Sequence, residues 1–251
     1  MKTAMLPLAL LAAGSMLGPQ APALQTFDSN GVPIAYTVEG QGEPVVLIHG
    51  LNSSAGMNWR APGTIGRLAR SYQVIALDLR GHGRSGKPLE SGAYGTEMVE
   101  DVIRLLDHLE IKTAHIIGYS MGGMITLKLI TEHPERVRSA MLGGMGWLRS
   151  GSAMQNFWGK LPNKEATRTP SACVRSLGQL AVTKDEVKNV RVPVEIVIGD
   201  RDPVRRLYVA PLQPVRPDWP IILISGAGHL NCAIKPQFQD ELQKWLDQHK
   251  Q

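Results

Sequence analysis

Short, unbroken apolar runs alternate along this chain with longer stretches whose apolar residues recur at helical spacing. Val45-Val46-Leu47-Ile48 has no polar interruption, the pattern of a strand covered on both faces. Similar runs predict strands over 33–38, 44–48, 73–77, 114–117, 139–142, 194–198 and 220–224. Val102, Leu105, Leu106 and Leu109 recur on one helical face, and helices are expected over 59–70, 98–109, 121–132 (stopped at His133-Pro134) and 238–249. Strands alternating with helices imply an α/β fold with a mostly parallel sheet and helices on both faces. The interval 147–191 breaks the rhythm. It is rich in Gly, Pro, Ser and Lys, and its Phe157, Trp158, Leu161, Val174, Leu177 and Leu180 suit a small lid over the carboxyl edge.

The first residues form a different pattern. Lys2 precedes an apolar run over 4–13, and Ala21-Pro22-Ala23 places small residues where a signal peptidase reads. Residues 1–23 are therefore read as a cleaved leader and 24–251 as one domain, exported to the periplasm or medium. The apolar run is too short for a stable bilayer span. A chain of 251 residues with 43% hydrophobic content can bury one large core. The net charge of +5 would fall to +4 on loss of Lys2, and scattered basic residues read as solvated surface rather than a nucleic-acid groove. Cys173 and Cys232 are the only cysteines; in an exported protein they either pair as one disulfide or remain two buried thiols.

Gly118-Tyr119-Ser120-Met121-Gly122 carries the chemistry. It follows a predicted strand and opens a predicted helix, the setting of a nucleophile elbow, in which a tight turn holds a serine hydroxyl clear of the backbone. A serine needs a base, and the base needs an orienting group. Of seven histidines, His229 is the candidate base, because Ser225-Gly226-Ala227-Gly228-His229 follows a strand at the edge where open α/β sheets bind ligands. Gly199-Asp200-Arg201-Asp202-Pro203 offers two carboxylates at the same edge; Asp202 is the choice, with Asp200 left to turn chemistry. His49-Gly50-Leu51 ends a strand, and the N–H groups of Leu51 and Met121 are the candidate oxyanion donors. His49, Gly50 and Trp147 are the candidates for the substrate pocket wall, with core packing the alternative for Trp147.

Taken together these motifs resemble the α/β-hydrolase fold superfamily over nearly everything after residue 30. The order Ser120, Asp202, His229 is the one that family uses, and Asp78-Leu79-Arg80-Gly81-His82-Gly83-Arg84-Ser85 is similar to its loop ahead of the nucleophile. The resemblance implies a serine hydrolase needing no metal or organic cofactor; it does not choose the substrate. The short lid departs from relatives with a larger cap. Relatives that cleave haloalkanes or epoxides use a carboxylate where this chain has Ser120. The expected reaction is transfer of an acyl group from a small ester or lactone to water. Lactonase, thioesterase, amidase, perhydrolase and carbon–carbon hydrolase chemistry share the same triad, and a ligand-binding sensor on this fold is the alternative of another class.

Overall fold

Alternation along single strands sets the architecture. In the computed structural model, which describes residues 22–161 and 169–250, Val46 and Ile48 of β3 (Glu43–Ile48) face one apolar cluster while Val45 and Leu47 face another. The same division holds for β4 (Tyr72–Leu77), where Ile75 and Leu77 lie opposite Val74 and Ala76. A strand with period-2 side chains that is apolar at every position must be covered on both sides.

Among the described residues the sheet has eight strands. β1 (Gln25–Ser29), β2 (Val32–Glu39), β5 (Ala114–Tyr119), β6 (Val137–Gly143), β7 (Val194–Gly199) and β8 (Ile221–Ile224) join β3 and β4 in the order β1-β2-β4-β3-β5-β6-β7-β8. The first two strands form an antiparallel hairpin and β2 runs antiparallel to β4. Every other pairing is parallel. One face carries α2 (Glu97–His108) and α3 (Met121–Glu132); the other carries α1 (Thr64–Leu68) and α7 (Pro236–Gln248).

Two elements differ from expectation. β1 was not anticipated, although Asn30-Gly31 closes the hairpin with φ of 54° and 79°, a turn signal these two residue types satisfy readily. The helix expected over 59–70 is broken: a π-helical turn over Gly56–Arg60 ends before Pro62, and α1 restarts after Gly63 at φ 87°. Proline lacks the N–H needed to continue the ladder, and Gly63 takes the left-handed conformation.

The described part of 147–191 folds as α4 (Ala153–Gly159), α5 (Ser171–Ser176), a 3₁₀ turn (Leu177–Leu180) and α6 (Lys184–Asn189). Ser152 caps α4 by accepting from Gln155 N–H, and Thr183 with Glu186 forms a capping box on α6. Residues 162–168 of the expected lid, and residues 1–21 of the expected leader, lie outside the described residues. No described helix is long and apolar enough to cross a membrane.

The disulfide reading is corrected here. Cys173 and Cys232 are both buried free thiols, Cys173 in the cluster with α2 and α3 and Cys232 in the cluster with α7. The sheet stands between them. A disulfide requires Cα atoms within about 7 Å, so these two cannot pair in this fold.

Candidate active site

Ser120 sits where β5 turns into α3, with φ 54° and ψ −115°. A non-glycine residue in such a region costs on the order of 1–3 kcal/mol and persists only when the surroundings hold it. Here the flanking glycines make the turn feasible. A Cβ on Gly118 would collide with the Gly122 carbonyl, and one on Gly122 with the Ile48 carbonyl. The Ser120 N–H is tied to the Gly143 carbonyl at 2.8 Å. The hydroxyl is thereby presented at the carboxyl edge rather than folded back into the helix.

His229 reaches that hydroxyl from the loop after β8, with its Nε2 2.8 Å from Ser120 Oγ. Its Nδ1 lies 2.8 Å from Asp202 Oδ2. A carboxylate accepts only, so Nδ1 carries the proton and Nε2 is the acceptor that faces the serine. Asp202 itself has a fully buried side chain, and its Oδ1 accepts from Val204 N–H at 2.9 Å. Asp200 is exposed and accepts instead from Ala227 N–H at 3.2 Å. Of the two aspartates, only Asp202 meets the histidine. The phenol of Tyr119 donates to the His229 carbonyl, and its ring packs against the imidazole at 5.8 Å between centroids.

The N–H groups of Leu51 and Met121 have no acceptor among the described residues. Met121 opens α3, where helix geometry leaves the first N–H groups unpaired and the helix dipole favours negative charge. A cavity of about 100 Å³ adjoins Ser120 and His229; its walls come from Leu51, Met121, Met124, Met145, Trp158, Leu177, Val204 and Tyr208. Two of these, Trp158 and Leu177, belong to the lid segment.

The pocket expectations need correction at two positions. His49 is fully buried; its Nδ1 lies 2.8 Å from the Gly50 carbonyl and its Nε2 accepts from Leu79 N–H at 3.0 Å. Burial lowers its pKa, and it clamps the β3 and β4 loops together. Trp147 is also core, its Nε1 donating to the Val182 carbonyl at 2.7 Å. Gly50 does abut the nucleophile: a Cβ there would stand 3.3 Å from that of Ser120. Sequence reasoning missed Met124, Met145, Val204 and Tyr208. Met124 stands one helical turn beyond Ser120, so its placement was available from i, i+4 spacing; the others enter from distant loops.

Four of the other histidines are engaged elsewhere. His115 lies between Ser139 and Glu43, His133 beside Glu100, His108 beside Tyr36, and His249 on the Trp245 carbonyl. Glu100, Glu132 and His133 bring potential metal-ligand atoms within 4.8 Å of one another, but Glu132 is already 3.0 Å from Lys128.

Known proteins place this arrangement in a family. A family model described as alpha/beta hydrolase fold matches residues 43–185. The chain is 39% identical over 143 residues to the dihydrolipoyllysine-residue acetyltransferase component of an acetoin cleaving system from Pseudomonas putida, covering 55% of this chain and 38% of that protein. It is 39% identical over 115 residues to a putative carbamate hydrolase of Azorhizobium caulinodans, 46% of this chain and 42% of that one. Against a 2-hydroxymuconate semialdehyde hydrolase of a Pseudomonas species the identity is 32% over 182 residues, 69% of this chain and 62% of that protein. Each match spans less than two thirds of its relative. A solved meta-cleavage product hydrolase from Pseudomonas fluorescens superposes with a TM-score of 0.72 at 22% identity, covering 89% of this chain and 97% of that one. An epoxide hydrolase from Vigna radiata gives a TM-score of 0.72 at 16% identity, over 90% and 98% of the two chains. At those identities the likeness is one of fold. With the family model spanning more than half of its residues, the chain belongs to the alpha/beta hydrolase fold family.

Proposed function

We propose that this protein hydrolyses carboxylic esters with a short, neutral acyl group through an acyl-enzyme. Ser120 Oγ attacks the carbonyl carbon as its proton passes to His229 Nε2, and Asp202 holds the resulting imidazolium. The Leu51 and Met121 N–H groups receive the oxyanion; losing one such donor typically costs about 10²–10³ in rate. The carbonyl re-forms, and the alcohol leaves with the proton from His229. Water, deprotonated by His229, then attacks the acyl carbon, and Ser120 leaves with its proton restored.

The unbroken Ser120–His229–Asp202 hydrogen-bonded chain at the wall of an apolar cavity carries this reading. Cavity size and lining support the substrate class. A volume of about 100 Å³ corresponds to roughly three waters of bulk liquid, enough for an acetyl to butyryl group. Neither lysine nor arginine lines it, so nothing in the wall would pair with a carboxylate on the acyl side. Hydrolysis of a p-nitrophenyl acetate to decanoate series is the test. An optimum at acetate to butyrate that vanishes in Ser120→Ala is expected; turnover surviving that change would refute the mechanism.

Carbon–carbon bond hydrolysis beside a carbonyl is the second reading, favoured by the 32% identity to a 2-hydroxymuconate semialdehyde hydrolase. It predicts Ser120-dependent cleavage of a 1,3-diketone with no ester turnover. The leader-like residues 1–23 support export, and a mature N-terminus at Leu24 is the expected result of terminal sequencing.

A further inference from the structure

His229 sits on a loop that holds mostly to itself. Leu230, the next residue, is 94% exposed. The loop's own bonds run from Gly228 N–H to Asn231 Oδ1 at 2.8 Å and from Cys232 N–H to the Gly228 carbonyl at 3.1 Å. Among the described residues, the rest of the protein bonds to the backbone of 228–231 at one point, the His229 carbonyl, which accepts from the phenol of Tyr119. Asp202 fixes the rotation of the imidazole through Nδ1, but not where the loop carries the residue.

Tyr119 is itself firmly placed. It ends β5 one residue before Ser120 and is 6% exposed. Gly143 and Gly144, where β6 ends, leave the room its ring fills: a Cβ on either would stand 2.9 or 2.8 Å from a ring carbon. Phe238 of α7 meets the ring edge-on, with centroids 5.9 Å apart at 79°. The Cys232 thiol and the Ala233 N–H lie beside the phenol oxygen. Burial above all holds the Tyr119 pKa well above the ordinary phenol value, so the hydroxyl keeps its proton and stays a donor.

Nucleophile and base therefore share a support. The Ser120 backbone continues directly from Tyr119, and the far end of the Tyr119 side chain holds the His229 peptide. Tyr119 is not among the residues lining the acyl cavity, so any effect on the reaction passes through His229.

We infer that Tyr119 is a positioning residue for the general base. Its phenol, by holding the His229 carbonyl, sets the 2.8 Å between His229 Nε2 and Ser120 Oγ, the distance that proton transfer needs. The inference rests on the acyl-transfer reading, in which His229 Nε2 takes the serine proton.

Tyr119→Phe is the test, because the ring and its packing remain and only the hydroxyl is lost. For p-nitrophenyl acetate, kcat should fall about 10–100-fold, the scale of a misplacement of about 1 Å, while KM changes less than about twofold, since the cavity wall is untouched. Circular dichroism would show the variant folded at the assay temperature. Phe238→Leu loosens the other side of the ring without removing a hydrogen bond, and so controls for a merely structural role. It should lower the melting midpoint at least as far as Tyr119→Phe, yet change kcat less than about threefold. The NMR resonance of the Nδ1 proton between His229 and Asp202, recorded without substrate, reads the same geometry independently of turnover. It should broaden in Tyr119→Phe and stay sharp in Phe238→Leu. An unchanged kcat or an unchanged resonance in folded Tyr119→Phe, or equal losses in Phe238→Leu, would overturn the positioning role. If the unaltered protein cleaves no ester, the acyl-transfer reading falls, and the resonance still decides whether Tyr119 places His229.

Discussion

Two polar networks in this molecule, one buried and one at a cavity wall, are built from similar parts and arrive at opposite ends. In one, Ser29 Oγ donates to Asp101 at 2.6 Å, and Arg80 makes paired bonds to the same carboxylate at 2.6 and 2.7 Å. Arg80 also donates to the Ala93 carbonyl at 2.7 Å, and Arg104 reaches Ser29 Oγ at 3.1 Å. In the other, Ser120, His229 and Asp202 are linked at 2.8 Å each. The first is closed: its serine hydroxyl is committed to a carboxylate and its arginine is 2% exposed. The second opens on a cavity and leaves the Leu51 and Met121 N–H groups unpaired. The difference teaches that reactivity here depends on which polar groups the fold leaves unmatched beside a space, not on which residue types it gathers.

That contrast can be broken at several points, the largest effect coming first. Ser120→Ala or His229→Ala should lower kcat by about 10⁶, as removal of a triad member does elsewhere, while leaving the urea midpoint nearly unchanged. Asp202→Asn should cost about 10⁴ through the wrong imidazole tautomer, whereas Asp200→Asn should alter ester turnover by less than about threefold; a reversed ranking would move the orienting role to Asp200. Arg80→Met should reverse the balance, destabilising the fold by about 3–5 kcal/mol because it strands the buried Asp101 carboxylate, with little change in turnover per folded molecule. Urea unfolding paired with active-site titration measures both quantities.

A smaller effect tests a buried acid remote from both networks. Glu195 on β7 is buried with Oε1 unpartnered, and burial, reinforced by Glu241, pushes its carboxyl from 4.5 up to about 7. The folded state then holds a proton that the unfolded chain releases. Stability from this group is complete below pH 4.5 and is lost as pH rises to 7, by about 3 kcal/mol. Glu195→Gln should flatten the pH dependence of the unfolding free energy across that window. The smallest change is expected from dithiothreitol, which should leave the melting midpoint where it was, since both thiols are already free; a clear drop would restore the disulfide.

Much of the site was legible because its parts are local. Gly118 to Gly122 form the elbow through contacts within the motif and its own helix and with the neighbouring strands β3 and β6, and the strand-to-helix switch was visible in the apolar pattern. His49 was misread because a strand-ending loop says where a side chain starts but not which backbone atoms claim it; Leu79, thirty residues on, takes its Nε2. For Trp147 the same limit left pocket wall and core packing open, and the structure takes core packing, its indole being committed to Val182.

The sequence by itself determined the alternation of strands and helices, the elbow with its strained serine, and the edge of the sheet where chemistry gathers. These follow from side-chain period, glycine's freedom and turn composition, all of which act over a few residues. Tertiary structure alone decided that His229 meets Ser120 across 109 positions and Asp202 across 27. It also decided that Cys173 and Cys232 lie on opposite faces, and that Met145, Val204 and Tyr208 close the cavity. Those outcomes depend on strand order and on which face each loop returns to, and the global packing of two apolar faces against one sheet sets both.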